Sequence, residues 1–360
     1  MSANARVLNG YLMRESALSW GAVTVVLLGI MLSTRFARFL AEAAAGELPR
    51  DLLFKVVALS SLQYLVVLIP VSLMLGLMLA LGRLYKDHEI TALSACGVGL
   101  REMYRPFIGI AGLLAVLTAA LALQIGPWAG RSVDYLVKDA RRLVQYTPFE
   151  PGQFKSVAGG RAAFYTERMS PDGRELGRVF VHVAEPGHGD VLIAGGGVQR
   201  TNPETGERDI ELRDGIRYEG DPGQADFTVT RFGSYRTRVT PPDFIYTTGK
   251  RKVLPSLELL ASSDLEDQAE LQWRIAAPIT VLLLALIAVP LSHTSPRQGR
   301  YGKVVLGILV YLVYINGLGV GQALIAEGWV DPWLGMWWVH GIALAVALWL
   351  IGRRSGWGRA

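Results

Sequence analysis

The sequence predicts an α-helical integral membrane protein with six transmembrane helices and one all-β domain inserted between the third and the fourth. Three observations carry this. Hydrophobic residues make up 51% of the 360-residue chain and charged residues only 19%. The charge is segregated: residues 131–274 hold 20 Lys+Arg and 22 Asp+Glu, which leaves 25 charged residues for the other 216. Those 216 also contain six long stretches free of Asp, Glu, Lys and Arg. A soluble enzyme or a disordered chain does not hide its polar surface in this way, and both are excluded.

The charge-free stretches are residues 16–34, 56–82, 106–130, 275–296, 304–326 and 332–352. Each meets the roughly 20 residues that cross about 30 Å of hydrocarbon at about 1.5 Å per residue. The second, 27 residues long, reaches about 40 Å as a helix and must tilt or project. The first is too long for the apolar part of a cleaved signal, and no small-residue cleavage site follows it. Residues 7–14, with Val7, Leu8, Tyr11 and Leu12 opposite Arg6 and Arg14, read as an interfacial helix leading into it.

Short-loop Lys and Arg set the orientation. With both termini in the cytoplasm, the inner segments hold twelve of them, among them Arg83, Lys86, Arg101 and Arg105 between spans two and three. The short outer loops hold four: Arg35, Arg38, Arg50 and Lys55. The large domain then faces outward. The net charge of +5 reports topology here, not nucleic-acid binding.

That domain reads as β. Residues 178–184 alternate, with Val179, Val181 and Val183 on one face, and residues 226–239 alternate again. Asp214-Gly215 between alternating flanks in residues 210–220 reads as a two-residue hairpin. Further turns are expected at residues 171–173 and 202–206. Short strands spaced by turns favour a sandwich or jelly roll. Residues 131–145 and 257–273 bracket it as helical connectors. The domain boundaries are therefore 1–130, 131–273 and 274–360.

No catalytic constellation is present. No G-x-x-x-x-G-K-[ST] occurs, so a P-loop nucleotide site is not expected. The single cysteine, Cys96, excludes a disulfide framework and a Cys-rich metal site. His182 and His188 read as surface or hydrogen-bonded residues, His340 in span six reads as a hydrogen-bonded packing residue, and no cofactor or metal is expected. Three features stand out. In the loop 83–105, Asp87 is placed to cap a short helix with Glu89 in its first turn and Gly97 and Gly99 at its end. That helix is open to two readings, a docking element for a cytoplasmic partner or a solvated loop helix. Arg35 and Arg38 share a helical face at the outer end of span one. They suit lipid phosphate, or they snorkel or pair with Glu42 and Glu47. In span five, Gly317-x-x-x-Gly321 admits a close helix, in this chain or in another subunit.

The runs Leu81-Gly82-Arg83-Leu84-Tyr85, Ala95-Cys96-Gly97, Gly152-Gln153-Phe154, Glu270-Leu271-Gln272-Trp273-Arg274-Ile275 and Pro296-Arg297-Gln298-Gly299-Arg300 resemble the lipopolysaccharide export permease family, LptF/LptG. The inner loop and the Pro-Arg-Gln-Gly-Arg run are closer to the LptF side. The resemblance covers essentially the whole chain. It implies a permease subunit without an ATPase site of its own, in the inner membrane of a Gram-negative cell with the β domain (a jelly roll in the family) periplasmic. It implies an LptG-like second permease as a heterodimer partner, two copies of a cytoplasmic ATPase, a periplasmic bridge protein of the LptC/LptA type, and lipopolysaccharide as substrate. It further implies that a coupling helix at about 85–97 docks on the ATPase with Glu89 as its acidic residue and Arg83, Tyr85 and Asp87 beside it. Arg35 and Arg38 match the span-one basic residues that meet lipid phosphate, and Gly317 and Gly321 lie in a span that walls the cavity between permeases. A lipoprotein-release permease has four spans with its large domain after the first, which does not fit. A non-transporting scaffold that relays ATPase states to periplasmic partners would need no paired arginines on span one.

Overall fold

The structure, a computed structural model, describes residues 3–44, 49, 52–145, 149, 151–157, 162–185, 188–201, 207–220, 226–239, 245–293 and 300–355. The chain divides into two compact units. One comprises Met1–Ala41, Asp51–Asp134 and Thr247–Ala360, and the other comprises Glu42–Arg50 and Tyr135–Tyr246.

The first unit is helical. It contains α1 (Ala3–Ala44), α2 (Leu53–Lys86), α3 (Glu89–Ala95) and α4 (Leu100–Ala120). The last of these runs through a π turn (Leu121–Ile125) into α5 (Gly126–Gln145), whose residues from Tyr135 on fall in the second unit, as do Glu42–Ala44 of α1. After the sheet come α6 (Ser256–Ala261), α7 (Leu265–Leu291), α8 (Arg300–Ala326) and α9 (Trp337–Ser355). Five of the described helices are long and apolar enough to cross a membrane: Val7–Ala44, Leu53–Lys86, Glu102–Arg142, Leu265–Leu291 and Gly302–Ala326. The sixth expected span yields a shorter apolar helix, Trp337–Arg353. Its first five expected residues are turns, because Gly335 takes a positive φ of 46°. The Gln272 side chain fills the space a Cβ would need there, accepts the Met336 N–H at 3.2 Å and donates to the Pro332 carbonyl.

α7 is the centre of this unit and touches α2, α4, α8 and α9. Val281, Leu284 and Ala288 along it are fully buried. Its foot is pinned by charge. Arg274, 4% exposed, donates to Glu270 Oε1 at 3.1 Å, to the Leu254 carbonyl at 2.9 Å, to Ser256 Oγ at 2.8 Å and to the Arg251 carbonyl at 3.1 Å. Ser256 in turn donates to the Leu123 carbonyl at 2.5 Å, inside the π turn, where a backbone acceptor is released from the regular ladder. Residues 247–273, which the sequence groups with the β domain, cluster with the helices, and Arg274 is what ties them there. At the start of α7, Asp264 Oδ1 accepts the Glu266 N–H at 2.8 Å and Asp264 Oδ2 accepts from Arg251 at 3.0 Å.

α1 is one continuous helix, so the interfacial segment and the first span are not separate elements. It meets α2 where Gly76 lies under it: a Cβ there would stand 2.6 Å from Trp20 Cα. Ser72 fixes the crossing, accepting from Trp20 Nε1 at 3.1 Å and from Thr24 Oγ1 at 2.9 Å.

The second unit is one six-stranded antiparallel meander in the order β1 (Lys155–Val157), β2 (Ala162–Met169), β3 (Glu175–Glu185), β4 (His188–Thr201), β5 (Arg208–Gly220) and β6 (Phe227–Val239). Among the described residues this single sheet stands in place of the two-sheet Greek-key arrangement of a jelly roll. Residues 171–173 turn as expected, with Gly173 at φ 70°, while 202–206 lie outside the described residues. The hairpin expected at Asp214-Gly215 is corrected: both residues sit inside β5. Asp214 does take the positive φ that Asp-Gly favours, 52°, but it uses it to crease the sheet. The pairings Glu167–Arg178, Arg178–Gly195, Gly195–Asp214 and Asp214–Gly233 are all missing from otherwise unbroken registers. Across this line the inward face advances three residues instead of two, from Leu176 to Val179, from Leu212 to Gly215 and from Phe232 to Tyr235. Gly215 is required because the Phe232 ring would stand 2.2 Å from a Cβ there. The inward face closes over Phe149, 1% exposed.

Two outcomes check this account. Arg274→Met strands Glu270 and two carbonyls in a buried setting and is expected to cost about 3–5 kcal/mol. Thermal unfolding in detergent should show it, with the Arg274→Met, Glu270→Leu double variant less impaired than Arg274→Met alone. The Glu266 N–H, then Arg251, hold the Asp264 carboxyl below its ordinary value. Because the folded value is the lower one, its contribution is complete above about pH 4 and is lost as pH falls through the depressed value. Hydrogen-exchange protection at residues 265–268 should therefore drop on acidification, and Asp264→Asn should flatten that dependence.

Candidate functional site

The loop between α2 and α4 is built by backbone rules. α2 ends with the Asp87 N–H on the Arg83 carbonyl at 2.9 Å and the His88 N–H on the Tyr85 carbonyl at 3.1 Å. His88 then takes a left-handed conformation, φ 60°, which reverses the chain into α3. The N-cap of α3 is therefore His88, without a side-chain cap bond, and Asp87 closes α2. The expectation that Asp87 caps α3 is corrected, because the left-handed residue comes one position later and leaves Asp87 as the C-cap of the preceding helix. At the other end, Gly97 (φ 86°) donates to the Ser94 carbonyl and Val98 to the Leu93 carbonyl, both at 3.0 Å. This pair of bonds is a Schellman stop. Gly99 starts α4, its N–H held by Glu102 Oε2 at 3.4 Å.

α3 buries one residue deeply, Ile90 at 2% exposure, with Leu93 and Val98 packed partly against the same core. Glu89 is half-buried and its Oε2 accepts from Tyr11 Oη at 2.7 Å. Arg83 donates through Nη2 to Glu15 Oε2 at 2.6 Å. Asp87 is exposed. Tyr85 is 8% exposed and sets its ring edge-on to His293 at 5.2 Å, so it supports the loop from behind and does not line its outer face. Thus three of the four loop residues that the sequence singles out have side chains toward the surface, and two of them are held by α1.

At the other end of α1, the Arg35 guanidinium lies 4.9 Å above the Tyr64 ring, a cation–π contact that fixes its direction. Arg38, one turn on, is exposed. Phe36 packs on Phe54 at 6.1 Å between centroids. Glu42 accepts from Arg141 at 3.4 Å, and Glu47 lies outside the described residues. The outward faces of α1 and α8 are apolar: Val25, Val26 and Ile30 are 60–70% exposed on α1, and Val305, Leu309 and Val313 are 55–67% exposed on α8.

Gly317 and Gly321 of α8 look the other way. A Cβ at Gly317 would stand 3.2 Å from Val339 and one at Gly321 would stand 3.0 Å from Met336. Of the two neighbours the sequence leaves open for Gly317 and Gly321, the structure shows the one within this chain: they seat α9 and the turn before it against α8. Gly307 sits over Met78 of α2. His340 is hydrogen-bonded, its Nδ1 at 2.7 Å from Tyr314 Oη, which also meets Thr280 Oγ1 at 3.2 Å.

Tyr11 and Glu15 were not legible as site residues. Tyr11 reads as part of an apolar stripe, and its i,i+4 spacing to Glu15 is the only hint that both sit on the face presented to the loop.

The family model for the lipopolysaccharide export system permease LptF/LptG matches residues 10–353. The chain is 30% identical to the lipopolysaccharide export system permease protein LptF of Escherichia coli K12 over 341 residues, 94% of this chain and 92% of that one. The same figures hold for the LptF proteins of Escherichia coli O157:H7 and of Shigella flexneri. A multi-pass set of apolar helices, a separate antiparallel sheet and a match across nearly all of the sequence place this chain in the LptF/LptG family of lipopolysaccharide export permeases, as an inner-membrane transport subunit that is not itself catalytic.

Proposed function

We propose that this chain is the LptF-side permease of an ATP-driven complex that draws lipopolysaccharide out of the inner membrane and passes it to a periplasmic bridge. In this reading the chain crosses the membrane six times, α9 being the sixth span. Both termini and α3 are cytoplasmic, and the sheet is periplasmic. An LptG-like permease completes a cavity walled by the outward apolar faces of α1 and α8, and two ATPase copies lie below. The observation that carries it is α3 itself, a short helix stopped at both ends by backbone geometry and bearing one half-buried carboxylate, Glu89, on the loop between two spans.

The physical demand supports an external motor. Lifting an acyl chain out of hydrocarbon costs about 0.8 kcal/mol per CH₂, and the spans carry no chain of acidic or basic groups for ion coupling. A docked helix converts nucleotide-driven closure into helix motion. Arg35, pre-aimed by Tyr64, and Arg38 then meet the lipid phosphates as bidentate donors. Within the loop, Glu89 and Asp87 face the ATPase, Arg83 flanks them and Tyr85 stiffens their base.

In proteoliposomes with the cognate partners, Glu89→Ala is expected to lower lipid export about tenfold or more at constant ATP hydrolysis, with loss of one charge-assisted contact. Export and assembly both at wild-type level would remove the docking role. Replacing Arg35 and Arg38 by Glu should reduce photocrosslinking of labelled lipopolysaccharide at neighbouring positions, more at low ionic strength than at high. A wild-type yield at low salt would remove the phosphate assignment.

A further inference from the structure

We propose that the N-terminal segment of α1 is a clasp for the coupling helix, with Tyr11 and Glu15 as positioning residues that set how α3 is presented to the ATPase. This rests on the docking reading above and adds a second element to it. α3 has only seven residues, enters through left-handed His88 and leaves through left-handed Gly97. A helix joined at both ends by such reversals, with Ile90 its one deeply buried residue and Leu93 only partly buried beside it, is weakly held against rotation. The missing constraint comes from α1. Tyr11 and Glu15 are four residues apart and so on one face. They reach both sides of the break between α2 and α3, Tyr11 to Glu89 at 2.7 Å and Glu15 to Arg83 at 2.6 Å.

The segment is seated for this task. Leu12 between the two contacts is fully buried in the same core as Leu84 and Ile90, with Leu8 packed against it. Tyr11 donates to Oε2 of Glu89, so the phenol orients the carboxylate without cancelling its charge. α1 contains no proline, and Trp20 crosses Gly76 along its length. From Tyr11 to Arg35 the same rod runs about 36 Å. A rotation imposed on α3 is thereby delivered to the arginines at the far end of α1.

Cys96, the C-cap of α3, is exposed and is the chain's single cysteine, so a spin label on the unaltered sequence reports the helix directly. The test uses the full-length chain in nanodiscs, alone and with its co-purified ATPase, comparing wild type, Tyr11→Phe, Glu89→Ala and the double variant. Tyr11→Phe keeps the ring and removes the hydrogen bond. The expected result is a roughly two- to fivefold larger mobile fraction of label and a similar loss of ATPase affinity, with neither change in the Glu89→Ala background. An unchanged label and unchanged affinity overturn the clasp. A mobilised label with unchanged affinity, while Glu89→Ala still weakens binding, overturns the presentation role. Affinity unchanged in Glu89→Ala as well overturns the docking reading itself.

Discussion

The buried guanidinium of Arg274 organises the foot of the helical unit. A buried cation is costly unless every donor finds an acceptor, and here four acceptors come from two stretches: Glu270 on its own helix, and the Arg251 and Leu254 carbonyls with Ser256 Oγ in the connector before it. Satisfying that charge dictates where the returning connector must lie. Ser256 passes the constraint on to the π turn through the Leu123 carbonyl, and Gln272, two residues before Arg274, braces the turn that opens α9. One charged side chain and its neighbours thus fix the entry of α7, and α7 fixes α2, α4, α8 and α9 around it.

Against that rigid centre, α1 is held sparsely. Its middle leans on α2 through Ser72 and Gly76, its N-terminal part on the inner loop, and much of the remainder presents apolar side chains outward. The contrast is physical. A helix locked by interdigitated core packing has one position, whereas one held by a small-residue crossing and a few hydrogen bonds has low-cost alternatives. For a permease that must admit and then expel a bulky amphiphile, the wall that moves is expected among the sparsely held helices and the frame among the packed ones.

The architecture was largely legible because its governing signals are local. Charge-free runs mark hydrocarbon-facing segments, and Val179 on an alternating strand is buried as its spacing requires. Where tertiary context decides, the sequence misleads. Asp214-Gly215 carries the strongest short hairpin signal, yet the strand continues through it because the neighbouring strands bring Gly195 and Gly233 to the same line. β4 escaped notice because Gly195, Gly196 and Gly197 lower its apparent strand propensity. Gly317 and Gly321 announce a close helix without saying which one. In the loop, Glu89 and Gly97 were legible from helix-end chemistry, but the left-handed His88 was not, and it displaced Asp87 from the cap. Tyr11 was invisible as a partner because nothing in one dimension shows that residues 78 apart meet.

The crease in the sheet has a consequence at its border. β6 lies last in the strand order and leaves one row of backbone donors and acceptors without a neighbour among the described strands. A flat, uninterrupted border of thirteen residues would invite adventitious pairing with any extended peptide. Here the break at Gly233 splits it into two short runs whose pleats are out of phase, so a straight intruder in step with one run is out of step with the other. Only a segment carrying a matching irregularity could zip along the full length, which turns an aggregation hazard into a selective seam.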